Sequence, residues 1–234
     1  RMATVKTSRN GGSIKNRVRE IVGTGSAVQK RAVLTAIPDR ETARVKVVIE
    51  GTSPLMWNIL SEKARDSISG TSAEGGGKAR KEDWPKTAYY MPDGKTPAAL
   101  GVWFRKAMES GTRMLKKPRR SQVSLVVWIV ENRVAILDAN GKAVKLRCDE
   151  DANWVRQKGR MGGDGIPVPR YRAVADAGWR ASFTVLIEDV SVVSPSFIPG
   201  LVARAGMCGV GEGRPSKGSA LGLGRFRLVS VESA

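Results

Sequence analysis

Histidine is absent from all 234 residues. Its absence removes the commonest general base, the commonest metal ligand and every Ser-His or Cys-His nucleophile pair. Cysteine is scarce: Cys148 and Cys208 lie far apart, without the spacing of a metal site. Each sits in or beside an apolar segment, so buried thiols are expected rather than a disulfide. No apolar run approaches the ~20 residues of a membrane span; the longest, Leu125 to Val130, has the length of a buried strand. The first residues lack the apolar stretch of a secretory signal. A reducing cytoplasm and no membrane partner are therefore expected. Acidic charge is also short, with 22 Asp and Glu against 40 Lys and Arg, a net +18. An excess of that size favours polyanionic partners, and makes their binding steeply salt-dependent.

What the chain has in quantity is glycine beside arginine and lysine near its C-terminal end. Seven glycines fall between positions 206 and 224, and Arg214, Lys217, Arg225 and Arg227 stand among or just after them. Glycine reaches φ > 0 and permits close approach of another chain. Backbone N–H groups freed in this way can cradle an anion, with guanidinium and ammonium groups supplying charge. Gly211 and Gly213 are the expected cradle. Gly213-Arg-Pro-Ser-Lys217 lacks the spacing of a P-loop. A dinucleotide fingerprint follows a strand and opens a helix, whereas this loop is expected to follow a helix and open a strand. A nucleic-acid backbone is the natural ligand.

Residues 1–42 read as a basic flexible arm, with nine basic and three acidic side chains. Residues 43–234 read as one domain, with insertions near 69–86 and 131–178. Arg44 to Glu50 is β-branched and predicts a strand. Ser53-Pro54 predicts a helix start, with Leu55, Ile59, Leu60 and Ala64 on its buried stripe. Residues 69–83 form a loop, and 87–91 a short strand. Thr96-Pro97 predicts a second helix, with Leu100, Trp103, Phe104, Ala107, Met108 and Leu115 inward. Arg105, Lys106, Arg113, Lys116, Lys117, Arg119 and Arg120 lie elsewhere. Seven basic residues against one acidic residue between 105 and 120 point to a phosphate-facing surface.

Val123 to Val130 predicts a buried strand. Asn140-Gly141 predicts a hairpin turn between 134–137 and 143–148. A second hairpin is expected to join 167–174 to 179–188, with Trp179, Ala181, Phe183, Val185 and Ile187 alternating onto one face. Ser194-Pro195 opens a helix that Gly206 closes, and 226–231 is the last strand. The order reduces to an α+β ferredoxin-like (RRM-like) βαββαβ core, an antiparallel sheet with helices on one face. Trp154 and Tyr171, beside Arg156, Lys158 and Arg160, are the candidates for stacking on bases. Trp103, Trp128, Trp179 and Phe183 are assigned to the core.

Ile49-Glu-Gly-Thr-Ser-Pro-Leu55, together with Val210-Gly-Glu-Gly-Arg-Pro-Ser-Lys-Gly218 and Gly224-Arg-Phe-Arg227, resembles the RAMP superfamily, the repeat-associated proteins of CRISPR effector complexes. The similarity is to their backbone subunits and to phage-encoded relatives. It implies single-stranded nucleic-acid binding, head-to-tail assembly along the strand, and insertions (here 69–86 and 149–165) acting as thumbs between subunits. Some relatives cut RNA. The processing nucleases often use a histidine, which this chain lacks, and certain backbone subunits use a loop aspartate, for which Asp149, Asp151 and Asp164 qualify by position.

Three functions are thus expected in descending order. The first is a non-catalytic protein that coats single-stranded RNA or DNA, with no cofactor and no metal. The second is a virion or nucleoprotein component holding duplex DNA through its basic arm. The third is a Mg²⁺-dependent nuclease drawing on Glu50, Asp66, Asp149, Glu150 or Asp151.

Overall fold

In the computed structural model, residues 40–59, 81–149, 154–156, 167–169, 171–219 and 221–233 are described. Strand β1 (Ala43–Gly51) alternates as expected: Val45, Val47 and Ile49 point into the core while Lys46 is exposed. A two-residue strand follows, β2 (Leu55–Met56), then a 3-10 segment (Lys81–Thr87), β3 (Tyr89–Tyr90) and β4 (Pro97–Leu100). Helix α1 (Gly101–Gly111) and helix α2 (Arg120–Val126) precede β5 (Val127–Ile129). Next come β6 (Arg133–Ala135), β7 (Leu146–Cys148), β8 (Trp154–Arg156), β9 (Pro167–Pro169) and β10 (Ala173–Ala175). Strand β11 (Arg180–Ile187), helix α3 (Ile198–Cys208) and strand β12 (Phe226–Ser233) complete the chain.

The main sheet runs β12-β1-β11-β5 and every pair in it is antiparallel. With α1 between β1 and β5, and α3 between β11 and β12, this is the ferredoxin-like α+β order. Both helices cover one sheet face. Phe104 of α1 stacks on Phe183 of β11, with centroids 4.7 Å apart, and meets Phe226 of β12 edge-on at 6.2 Å. Such pairs add about 0.5–1.5 kcal/mol to the burial of the rings. The other face carries the exposed side chains of Lys46, Ser182 and Arg227. Among the described residues no helix is long and apolar enough to cross a membrane.

Among the described residues there are three smaller antiparallel sheets, β2-β10-β7, β3-β4-β6 and β8-β9. They overturn several local expectations. Leu55 and Met56 pair with β10 rather than starting a helix. The capping atoms that Ser53 would have offered are used elsewhere: its hydroxyl accepts the Arg225 N–H at 2.8 Å, and its carbonyl accepts the Trp179 indole N–H at 2.9 Å. Thr96 opens no helix either. Asp93 holds its N–H at 2.9 Å and receives its hydroxyl at 2.5 Å, and Pro97 enters β4.

The apolar run at 123–130 divides into helix and strand. Gln122 accepts the Arg119 N–H at 2.8 Å, which starts α2, and the chain becomes extended at Val127. Both expected turns form, with Gly141 at φ 76° and Gly178 at φ 94°, but their arms separate into different sheets. Strand β6 pairs with β4, and β10 pairs with β2 and β7. Helix α3 passes through Gly206 and ends at Gly209, φ 71°. A Cβ on Gly206 would lie 1.9 Å from the Phe226 carbonyl oxygen, so that glycine lets α3 lie against β12. Cys208 is buried as expected, whereas Cys148 is half-exposed, and the two form no disulfide.

Candidate nucleic-acid interface

The glycine loop is folded against the β1–β2 connection. The N–H of Val210 donates to the Gly224 carbonyl at 2.9 Å, that of Gly224 to Pro54 at 2.7 Å, and that of Glu212 to Met56 at 3.0 Å. The Arg225 carbonyl accepts from Thr52 at 2.8 Å and from Ser53 at 3.3 Å. The two segments that carry the family resemblance thus bind each other. Gly211 and Gly213 are both buried, and a Cβ on Gly211 would stand 2.6 Å from the Met56 carbonyl oxygen. This corrects the anion-cradle expectation. The two glycines serve internal close approach, and the N–H groups of Val210, Glu212, Leu223 and Gly224 already have carbonyl partners.

The loop's cations have different fates. The half-buried Arg214 guanidinium donates to the Gly211 carbonyl and to Ser216 Oγ at 3.2 Å. Burial lowers its pKa, and the charge of Glu212 partly offsets that. Lys217 lies 3.8 Å from Glu212, and Arg227 lies 3.1 Å from Glu50. Arg225 is exposed and has no side-chain partner among the described residues.

The second cluster is more open. Between α1 and α2 the chain makes a 3-10 turn (Thr112–Met114) and then a short loop. Arg113, Lys116, Lys117, Arg119 and Arg120 are all exposed there. The nearest acid is Glu109, buried at 2% exposure, whose carboxylate meets Lys106 at 3.1 Å, Arg105 at 3.7 Å and Arg120 at 3.9 Å. Lys106 is exposed but holds Glu109. The turn and the glycine loop are joined through α3. Gly111 is close-packed on the backbone of Arg204 and Ala205, and the charge of Arg113 reaches the Cys208 thiol, whose pKa burial raises.

Arg105 is the correction in this cluster. Its side chain is 15% exposed, lies 3.6 Å over the Trp128 ring, and donates to the Val127 carbonyl at 3.1 Å and to that of Ser124. Held by these contacts, it serves the α2–β5 junction as a structural cation. Trp128 in turn leaves the core to which it was assigned. One step along β5 from the buried Val127, it is 38% exposed. Sequence alone offered no signal for this pairing, because the α2–β5 junction that sets the register of Trp128 was not foreseen.

Of the remaining candidates, Tyr171 is half-exposed beside Arg172, and Arg172 reaches the glycine loop with its Nη1 3.9 Å from Glu212. Trp154 and Arg156 lie on β8, described by its backbone. Lys158 and Arg160 lie outside the described residues, as do the arm at 1–39 and Asp66, Glu150, Asp151 and Asp164 among the carboxylates. Glu50 is engaged by Arg180 at 3.3 Å and by Arg227, and Asp149 is buried. Among the described residues no three His, Cys, Asp or Glu side chains group as a metal site.

The geometry defines an α+β ferredoxin-like domain with a packed glycine loop and a basic rim. No protein-family model matches the chain, and a comparison with curated proteins finds no match. Similar folds occur among solved structures. One is a cryo-EM structure of the Type III-B Cmr-beta bound to cognate target RNA, 12% identical with a TM-score of 0.47; the match covers 82% of this chain and 61% of that chain. Another is Cmr6 from Pyrococcus furiosus, 12% identical with a TM-score of 0.41; the match covers 81% of this chain and 99% of that one. The present chain thus spans under two thirds of the first protein's length, and the likeness is one of backbone arrangement.

Proposed function

We propose that this chain is a non-catalytic protein that binds single-stranded nucleic acid, RNA or DNA, and assembles head to tail along it as RAMP backbone subunits do. The observation that carries the reading is the α1–α2 turn. It puts five exposed cations within residues 113–120, a stretch without an acid. A solvated surface of ordinary kind mixes signs. Arg225 and Lys217 add charge at the glycine loop, and α3 packs against the end of α1 that leads into the turn. A phosphodiester strand matches such a cluster because every nucleotide repeats the same charge. Half-exposed Tyr171 and exposed Trp128 offer rings near basic side chains, where stacking of bases contributes about 1–3 kcal/mol each.

The test is fluorescence anisotropy with labelled oligouridine, oligothymidine and a duplex, followed by gel analysis of each strand after incubation in Mg²⁺. Binding is expected for both single strands. Five phosphate contacts at ~0.7 each predict a slope of log affinity against log salt of about −3.5. The strands should remain intact, and several proteins should load on a long strand. Preference for duplex would favour the virion reading, and strand scission would replace the non-catalytic reading with a nuclease.

A further inference from the structure

Glu212 is the single acid between positions 206 and 224. Its backbone is pinned by the N–H bond to Met56, so the side chain projects from a fixed point. Around its carboxylate stand Arg172, with Nη1 3.9 Å from Oε1, and Lys217, with Nζ 3.8 Å from Oε2. Arg214, two residues along, feels the same charge. Two cations therefore share one carboxylate. Neither measured pair is a hydrogen bond, since charge-assisted bonds between such groups run at about 2.7–2.9 Å. The Glu212 side chain is 29% exposed and that of Lys217 56%, so water reaches both; pairs of that exposure hold weakly. Arg172, at 11%, is sheltered. The arrangement is a positive recess that runs from the sheltered Arg172 to the exposed Lys217.

We propose that the Glu212 carboxylate occupies the seat of a backbone phosphate, between Arg172 and Lys217, and competes with the nucleic acid for it. In the free protein Glu212 neutralises part of the recess. A phosphodiester group, carrying one negative charge on two unbridged oxygens, displaces the side chain into solvent and takes over its cations. Glu212 thereby acts as a built-in counter-ion that lowers affinity for short or weakly held strands. The idea rests on the single-strand-binding reading above, and it predicts that removing a charged residue tightens binding.

The test uses the full chain and labelled oligouridine at several salt concentrations, with Glu212→Gln and Glu212→Ala. Both variants are expected to bind about fivefold to tenfold more tightly, with the salt slope steepened by about one contact. Adding Lys217→Ala to either variant should abolish the gain. Glu232→Gln removes the same charge from the exposed end of β12 and should change affinity less than twofold. Inorganic phosphate supplies a second readout. It should raise the melting temperature of the Glu212→Gln protein more than that of the wild type, because the vacated recess accepts the ion. Unchanged or weaker binding by folded Glu212 variants, or an equal gain from Glu232→Gln, overturns the proposal while leaving the function reading intact. If neither wild type nor variant binds any strand, the function reading falls and this proposal with it.

Discussion

The glycine loop at 206–227 and the turn at 112–120 both draw the eye as basic segments, but the fold uses them differently. In the loop, several glycines are packed inward and most cations have partners within the protein. Backbone N–H groups go to Pro54, Met56 and Gly224, and Arg214, Lys217 and Arg227 each have a protein acceptor or acid. In the turn, five cations face water and Arg120 alone comes within 3.9 Å of a carboxylate, that of Glu109. Glycine density therefore reports close packing, and it is unpaired charge that reports a ligand. In the proposed reading, the loop frames the interface and the turn supplies most of its freely available charge.

The largest effect that can break this contrast lies in the loop. A Cβ on Gly224 would stand 1.8 Å from the Val210 carbonyl oxygen, in a residue held at φ 68°. Neither backbone can yield without losing the Val210–Gly224 hydrogen bond. Gly224→Ala should cost more than about 3 kcal/mol of stability, measured by urea denaturation. Gly218, φ 74° with nothing within 4 Å of its would-be Cβ, is the internal control. Its change to alanine should cost about 1–2 kcal/mol, the ordinary penalty of a left-handed residue. Equal costs at the two sites would mean that Gly224 is not a packing glycine.

The turn should show the reverse behaviour. Replacing Lys116, Lys117, Arg119 and Arg120 together by glutamine should leave the urea midpoint nearly unchanged, since none is buried. Affinity for oligouridine should fall about a hundredfold at low salt, and the salt slope should flatten by about three to four contacts. A folded quadruple variant with wild-type affinity would place the ligand elsewhere.

How far these roles can be read from the chain itself depends on the range of the interactions involved. The alternation of β1 and β11 and the apolar face of α1 were legible, because periodicity is local and the core answers to it. The ferredoxin-like order followed from those elements. Ser53-Pro54 misled because its cap signal is local, while its actual partners, Arg225 and Trp179, lie 172 and 126 residues away. The exposed turn was legible as an excess of one charge sign. The pairing of the Gly51–Leu55 connection with the glycine loop was not, and so the glycines looked free when they are not.

Arg105 tests the same distinction from the other side, as a cation inside the basic cluster that behaves like the loop's committed ones. It stacks on Trp128 at 3.6 Å, donates to two carbonyls of the α2–β5 junction and faces Glu109. Truncation would leave two part-buried acceptors without this donor and expose more of the indole ring. Arg105→Ala should therefore cost about 2 kcal/mol in urea denaturation, with Arg105→Lys recovering little because an ammonium cannot stack flat or donate to both carbonyls at once. Measured on protein that is still folded, the salt slope for oligouridine should be unchanged, because no phosphate contact is lost. A slope flattened by a full contact, with stability intact, would move Arg105 to the ligand side of the division and make its stacking on Trp128 a resting state that the strand replaces.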